Sequence, residues 1–278
     1  MPSSPSARLN GEGADPRSML IDTHCHLDAA EFAFDRAAVI ERARAAGVEG
    51  FVVPAVTSAG FDGLDELADS TPGVARAFGL HPLFIDSARP SDLHRLDQRL
   101  AHTNVVAVGE IGLDGFVAQP DLSLQQSWFE DQLALARAHD LPVILHVRKA
   151  VDAIIASLRR VGVSGGIAHA FNGSRQQADQ LVGLGFKLGF GGTLTYEGSR
   201  RIRALAAELP VDAIVLETDA PDIPPEWNRG GRNEPANVRR IADTLAQLRG
   251  EPVTGVIAAT GRNALAALPR LGDLLAAR

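Results

Sequence analysis

The feature that most constrains the fold of this 278-residue sequence is a regular alternation of short apolar segments with segments of helical spacing. Alanine and leucine recur at helical spacing between the apolar segments, as in residues 123–140 and 237–250. Almost wholly apolar strands that alternate with helices are typical of a parallel sheet covered on both faces. The β-type segments are residues 19–24, 49–56, 74–80, 105–114, 142–147, 165–171, 186–192 and 213–221.

Eight strand–helix units in about 230 residues predict a single α/β domain, a (β/α)8 TIM barrel. The alternative is an open doubly wound sheet, which carries a glycine-rich turn after its first strand. Here that turn reads THCHLD, at residues 23–28, and contains no glycine. We expect residues 1–18, rich in serine, proline and glycine, to form a disordered extension and residues 19–278 to form the barrel domain.

Charge and composition exclude several classes of protein. The net charge of −7 argues against a strongly basic DNA-binding module, so any contact with nucleic acid should be local and brief. Cys25 is the single cysteine, which rules out an intrachain disulfide and favours a reducing compartment. The sequence contains neither an apolar stretch of about 18 residues nor a secretory signal, so we expect a cytoplasmic protein.

Histidines and carboxylates fall in or just after the predicted strands. In a parallel barrel the carboxyl ends of all strands meet on one face, so these side chains should converge. A lone histidine there is usually a core or rim residue, and a lone carboxylate is often a helix cap. Their coincidence at strand ends of the same polarity predicts a metal site at the C-terminal ends of the strands. The six candidate ligands are His24, His26, Glu110, His146, His169 and Asp219.

The spacing of these residues suggests individual roles. His24 and His26 are two residues apart and should project to the same side, whereas Cys25 should face the helical layer. Imidazole with carboxylate suits zinc, manganese, nickel or iron better than magnesium. If two ions are bound, one carboxylate must reach both, and Glu110 is placed to do so. We assign catalytic roles to Glu110 and to Asp219, the latter as ligand and proton acceptor for the nucleophilic water.

Five ordered motifs resemble the TatD-like deoxyribonucleases of the amidohydrolase superfamily. They are MLIDTHCHLD, GEIGLD, PVILHVRKAVD, HAFNGS and ETDAPD, and the resemblance extends from Met19 to about Leu268. The segments GEIGLDGF, GGTLTY and ETDAPDIP further resemble the YjjV-type branch of that family. The resemblance implies a TIM barrel, one or two divalent ions on the same six ligands, and phosphodiester hydrolysis, typically from the 3′ ends of DNA. Magnesium or manganese would support activity, and zinc or nickel could be the bound ion.

Candidate substrate contacts surround the predicted metal site. The family pattern GxHP is matched at His81, and arginine side chains near the site could bind phosphate in a bidentate manner. Each assignment competes with an ordinary surface or packing role. A departure from many relatives is that Gly115 precedes the aromatic Phe116 after GLD. The candidate contacts are His81, Arg148, Asn172, Arg229 and Arg232, with Trp227 as a possible stacking partner for a base.

Three functional hypotheses follow from these patterns. The first is a metal-dependent phosphodiesterase acting on DNA ends or on a small phosphoester. The second is a metal-dependent esterase, lactonase or amidohydrolase, and the third is a metal-binding protein that has lost catalysis. The nearby arginines favour the first, and the complete ligand set disfavours the third. No obligate protein partner is evident.

Overall fold

The computed structural model describes residues 18–116 and 121–277. Apart from Ser18, the predicted disordered extension lies outside the described residues. The eight predicted strands are all present and form one parallel sheet in the order β1 to β8. The strands are β1 Leu20–Asp22, β2 Val48–Pro54, β3 Val74–Phe78, β4 Val105–Asp114, β5 Val143–Arg148, β6 Gly166–Ala168, β7 Phe186–Phe190 and β8 Ile214–Leu216.

The two edges of the sheet meet, as the barrel prediction requires. Backbone hydrogen bonds join the segment after β1 to the end of β8 and to the segment after it, from Thr23 N to Leu216 O at 3.0 Å and from Asp219 N to His24 O at 2.8 Å. Helices occupy the connections and the C-terminal segment. They are α1 Arg36–Ala45, α2 Phe61–Ser70, α3 Pro90–Leu100, α4 Leu122–Ala138, α5 Val151–Val161, α6 Arg175–Gly183, α7 Arg200–Glu208, α8 Val238–Arg249, α9 Val253–Ala267 and α10 Pro269–Ala276.

The barrel has two apolar layers, one inside the sheet and one between the sheet and the helices. In β2 the alternation is clear, because Val52 belongs to the inner layer while Phe51 and Val53 belong to the outer one. The inner layer continues into Leu271 and Leu275 of α10 at the start of the strands. Apolar packing thus closes the N-terminal end of the barrel and leaves polar chemistry to the C-terminal end.

One detail differs from the sequence prediction. The first strand ends at Asp22 rather than at residue 24, so His24 and His26 lie just beyond it, whereas Glu110 lies within β4, inside the segment 105–114. The register of β4 against β5 shifts between Val108 and Ile111, on either side of Glu110. Such irregularities re-aim a side chain, which explains why Glu110 points to the site from inside a strand.

None of the helices in the described part of the chain combines the length and the apolar character that a membrane-spanning segment needs.

Candidate metal centre

The six predicted ligands come together at the base of a cavity of about 1430 Å3 at the C-terminal end of the barrel. His26, Glu110, His146, His169 and Asp219 line this cavity, and His24 is fully buried beside them. The prediction that strand ends bring these residues together therefore agrees with the geometry. Their role as ligands stays a proposal.

Glu110 lies at the centre of these six residues, which together form the cluster. Its side chain is 2% exposed, and each carboxylate oxygen faces a different group of imidazoles. A single carboxylate that reaches two groups of nitrogen donors is the arrangement expected of a bridging ligand. Oε1 lies 2.8 Å from His146 Nδ1, 3.4 Å from His169 Nε2 and 3.5 Å from His81 Nε2, and Oε2 lies 3.2 Å from His24 Nε2 and 3.7 Å from His26 Nε2.

Asp219 completes the group around Oε2 of Glu110. Asp219 Oδ1 lies 3.5 Å from His24 Nε2 and 3.6 Å from His26 Nε2. The backbone of Asp219 is left-handed, with φ of 57°, a conformation that aspartate and asparagine tolerate better than most residues. This turn after β8 places the carboxylate beside the two histidines of the neighbouring segment after β1.

Two further carboxylates orient His146 and His169 from behind. His146 Nε2 hydrogen-bonds to Asp114 Oδ2 at 3.0 Å, and His169 Nδ1 lies 3.4 Å from Glu217 Oε1. When these outer nitrogens carry the ring hydrogens, the nitrogens that face Glu110 have free lone pairs. Gly189 of β7 makes room for Glu217, since a Cβ at that position would lie 2.1 Å from Glu217 Oε2.

His81 differs from His146 and His169 in that its hydrogen-bearing nitrogen faces the cluster. Its Nδ1 accepts a hydrogen bond from Leu83 N at 3.1 Å, so in the neutral ring the hydrogen must be on Nε2. Burial lowers the pKa of His81, and the nearby Glu110 only partly opposes this, so the ring is neutral. Its Nε2–H then faces the cluster as a hydrogen-bond donor, which suits contact with a substrate oxygen better than metal ligation.

The arrangement fits a divalent metal ion. His24 Nε2 is completely buried and has no hydrogen-bond partner, although oxygens of Glu110 and Asp219 lie 3.2 and 3.5 Å away. An unpaired buried nitrogen between two carboxylates is costly unless a cation binds there. Among the described residues, nitrogen and oxygen donors within reach of one ion form the groups His24–His26–Asp219, His24–Glu110–His169 and His81–Glu110–His146. This donor set suits zinc, manganese, nickel or iron, and the tautomer of His81 disfavours the third group.

The histidines and carboxylates of the cluster shift one another's pKa values in the direction that favours charge on both. Burial raises the pKa of Glu110, but the surrounding histidines outweigh it and hold that pKa well below its ordinary value. Burial lowers the pKa of His26 and His169, but the nearby carboxylates, Asp219 foremost, raise these values to about 9 and about 10. Without metal, the site therefore holds protons on at least two of its imidazoles, those of His26 and His169, at neutral pH, and the pKa of His146 is raised as well.

Metal binding should consequently release protons. Because His26 and His169 are protonated at pH 7 without metal, an ion must displace up to two protons, and its affinity should rise by up to roughly 100-fold per pH unit. The rise should flatten only when the pH passes the raised pKa values. Titration calorimetry with Mn2+ in buffers of different ionisation enthalpy measures the released protons. Exposed His94 provides a control, since His94→Gln should leave the release unchanged, and binding without buffer dependence would contradict the prediction.

Other predicted substrate contacts divide into two sets. His81, Arg148 and Asn172 line the cavity, and Asn172 Oδ1 accepts a hydrogen bond from Arg201 Nη2 at 2.6 Å. Arg229 and Arg232, in contrast, are not brought to the cavity. The guanidinium of Arg229 lies 4.9 Å from the centroid of the Tyr196 ring.

Arg232 and Trp227 have partners elsewhere. Arg232 forms ion pairs of 2.7 Å with Asp35 and 2.8 Å with Glu234. Trp227 donates from Nε1 to Asn237 Oδ1 at 3.0 Å and lies under Arg240. These contacts tie the loop after β8 to the barrel, and they leave neither side chain directed at the cluster.

Sequence reasoning did not single out four functional candidates that the structure adds. Two are the orienting carboxylates Asp114 and Glu217, and two are the cavity-lining cations Lys149 and Arg201. The sequence did contain a signal for Asp114 and Glu217. Asp114 lies four residues after Glu110 in GEIGLD, and Glu217 lies two residues before Asp219 in ETDAPD. Residues an even number apart in a strand face the same side. Arg201 lies in α7 and had no such signal.

Comparison with known proteins gives consistent results. The sequence model of a family described as TatD related DNase matches residues 21–269. The chain is 41% identical over 246 residues to a protein of Escherichia coli named "Uncharacterized metal-dependent hydrolase YjjV", covering 87% of this chain and 95% of that protein. It is 35% identical over 253 residues to YabD of Bacillus subtilis, also named an uncharacterized metal-dependent hydrolase, covering 88% of this chain and 97% of that protein. The crystal structure of the E. coli YjjV protein superposes with a TM-score of 0.88 at 39% identity, covering 91% of this chain and 99% of that one.

Proposed function

This chain belongs to the TatD family of metal-dependent hydrolases, and from that premise we propose that it hydrolyses phosphodiester bonds at the 3′ ends of DNA. The observation that carries the proposal is the carboxylate–imidazole cluster around Glu110 at the base of a cavity whose wall bears Arg148, Lys149 and Arg201. Guanidinium and ammonium groups recognise phosphate oxygens. The description of the family as a DNase points to the same substrate class.

The residues of the cluster have distinct tasks in this proposal. His24, His26, Glu110, His146, His169 and Asp219 hold one or two divalent ions, which would polarise a phosphoryl oxygen and lower the pKa of a water molecule. Asp219 Oδ1 accepts the proton of the attacking water. The water oxygen forms a bond to phosphorus as the bond from phosphorus to the leaving oxygen breaks, and solvent protonates that oxygen. His81 donates its Nε2 hydrogen to a phosphate oxygen.

Charge in the cavity makes substrate binding dependent on the bound cation. Its lining contains seven carboxylates, those of Asp28, Glu31, Glu110, Asp114, Asp152, Asp219 and Asp222, against three lysine and arginine side chains. An anionic phosphodiester would be repelled by this lining alone. Divalent ions at the base reverse the local sign, so binding as well as turnover should require them.

The direct test uses a 5′-labelled single-stranded oligonucleotide and metal-stripped protein. Mg2+, Mn2+ or Zn2+ is added back separately, and the products are resolved by length. We expect stepwise shortening from the 3′ end that begins only after metal is added. A matched strand with a blocked 3′ hydroxyl group tests whether cleavage starts at that end.

One result of this experiment would contradict the phosphodiesterase proposal. If elemental analysis finds bound metal but no oligonucleotide is shortened with any of the three ions, the phosphodiesterase proposal is wrong. Robust cleavage of carboxylic esters or lactones by the same metal-loaded protein would then support the esterase or lactonase alternative.

A further inference from the structure

Exposed apolar side chains are concentrated at the cavity. Five large hydrophobic residues in the described part of the chain are strongly exposed, and four of them line the cavity that contains the metal cluster. Single exposed hydrophobic residues are ordinary, but a group that borders a polar site indicates binding. The exposed fractions are 44% for Leu83, 45% for Phe84, 53% for Phe116 and 43% for Leu122, and the exception is Phe34, which is outside the cavity lining at 102%.

The two aromatic rings of this group lie next to the cluster. The Phe84 ring centroid is 5.9 Å from that of His81, whose Nε2 is 3.1 Å from His146 Nδ1. The Phe116 ring centroid is 3.8 Å from the guanidinium carbon of Arg148. One side chain, His81, separates the Phe84 ring from His146, and two, Arg148 and Asp114, separate the Phe116 ring from it. A base that is joined through its sugar to the reacting phosphate is therefore close to both rings while that phosphate is at the cluster.

Arg148 links the apolar group to the cluster on the Phe116 side. Its Nη1 lies 3.8 Å from Asp114 Oδ2, and the same oxygen is 3.0 Å from His146 Nε2. Half of the Arg148 side chain remains exposed, and Arg148 lines the cavity. Nucleobases stack on aromatic rings and on guanidinium planes alike. A cation beside an apolar surface complements a base that carries a phosphate.

The other walls of the cavity have a different chemistry. Asp28, Glu31 and Asp222 make one wall acidic, and Asn172 with Arg201 belongs to a polar wall. An acidic wall repels phosphates, and in the polar wall the Arg201 guanidinium already donates to Asn172 Oδ1 at 2.6 Å. Among the described residues that line the cavity, the exposed apolar side chains beside His81 and Arg148 therefore match a base best.

We propose that Leu83, Phe84, Phe116 and Leu122, together with the Arg148 guanidinium, form a subsite for the base next to the scissile phosphate. This base subsite rests on the proposed phosphodiesterase function and makes the enzyme selective for unpaired ends. A base inside a duplex already stacks on its neighbours and pairs with its partner, so only a frayed or single-stranded end can enter. Base–aromatic stacking corresponds to roughly a 5- to 100-fold change in affinity.

The test compares two oligonucleotides that differ only in the 3′-terminal residue, one with a normal base and one with an abasic tetrahydrofuran residue. For the wild-type holoenzyme, we expect the KM of the abasic strand to be about 5- to 100-fold higher. In Phe116→Ala and Phe84→Ala this ratio should fall towards one, and Phe116→Tyr should restore it. Phe34→Ala is the matched control and should keep the wild-type ratio. Equal KM values for both strands in the wild type would overturn the base subsite.

A second measurement separates this inference from the proposed function. The 5′-monophosphate of 2-aminopurine deoxyriboside is titrated into metal-loaded protein, and its fluorescence quenching reports stacking without any turnover. Quenching by wild type and Phe34→Ala that is lost in Phe116→Ala supports the subsite even if no oligonucleotide is cleaved. Equal quenching by wild type and Phe116→Ala, in proteins with matching circular dichroism spectra, would overturn it.

Discussion

Glu110→Gln should lower metal affinity by more than about 100-fold and should reduce hydrolysis at least in proportion. Even the outer partners of metal ligands cost about 10–100-fold in affinity when removed, and Glu110 contacts the donor nitrogens directly. Its two oxygens lie within 3.7 Å of nitrogens from five histidines. No other carboxylate in the described residues has this many histidine contacts, so its charge cannot be replaced from within the site.

The same substitution should also change the protonation of the site. Glu110 raises the pKa of His26, His146 and His169, so the histidines lose protons more easily when the carboxylate becomes an amide. Fewer protons should then be released for each ion bound. Metal content by elemental analysis and proton release by calorimetry measure the two effects independently, and glutamine preserves the size of the buried side chain.

Glu31→Gln is the matched control for this prediction. Glu31 also lines the cavity and loses the same charge, but it is exposed and does not belong to the donor groups. It should keep wild-type metal content. Full metal content and full activity in Glu110→Gln would show that the bridging role is wrong.

The sequence was sufficient to predict the barrel and the gathering of the candidate ligands. Parallel strands align their carboxyl ends, so His146 in β5 and His169 after β6 meet without any knowledge of side-chain packing. The inward direction of Glu110 depends on the register shift between β4 and β5, which no local sequence pattern predicts. Its convergence was predicted, but the register shift beside it was not.

Long-range pairing explains what the sequence did not reveal. Arg232 was expected to contact substrate because arginine binds phosphate, but its partner Asp35 lies 197 residues away along the chain. Arg201 lies in α7, 29 residues beyond Asn172, and reaches the cavity only because consecutive units stand side by side in the barrel. Helical or strand periodicity carries no information about such pairs.

The construction of the barrel explains how a charge-rich site remains stable. The inner apolar layer, with Leu271 and Leu275 at its base, ends where the strands give way to loops. Above it, several buried polar groups outside the donor set pair with one another, as when Asp22 accepts hydrogen bonds from Thr218 N at 2.9 Å and Thr218 Oγ1 at 2.6 Å. Local changes of charge in the cluster should therefore alter chemistry more than they alter the fold.

Asp219→Asn provides the second large effect and tests the proposed proton acceptor. We expect the protein to fold normally and kcat to fall by about 10²–10⁴-fold, the contribution typical of a general base. Asparagine is the appropriate substitution because the backbone at residue 219 is left-handed, with φ of 57°, and asparagine adopts this conformation readily. Alanine would add backbone strain to the loss of the carboxylate and so confuse the two effects.

Asp222→Asn is the control for Asp219→Asn. It lies three residues further along the same loop, lines the same cavity and loses the same charge, but it is exposed and does not belong to the donor groups. Turnover of the two variants is compared at saturating metal, with bound metal measured in parallel, because Asp219 is also a proposed ligand. A large loss of kcat in Asp219→Asn at full metal occupancy, with little loss in Asp222→Asn, assigns proton transfer to Asp219. Near-wild-type kcat in Asp219→Asn would mean that another group accepts the proton.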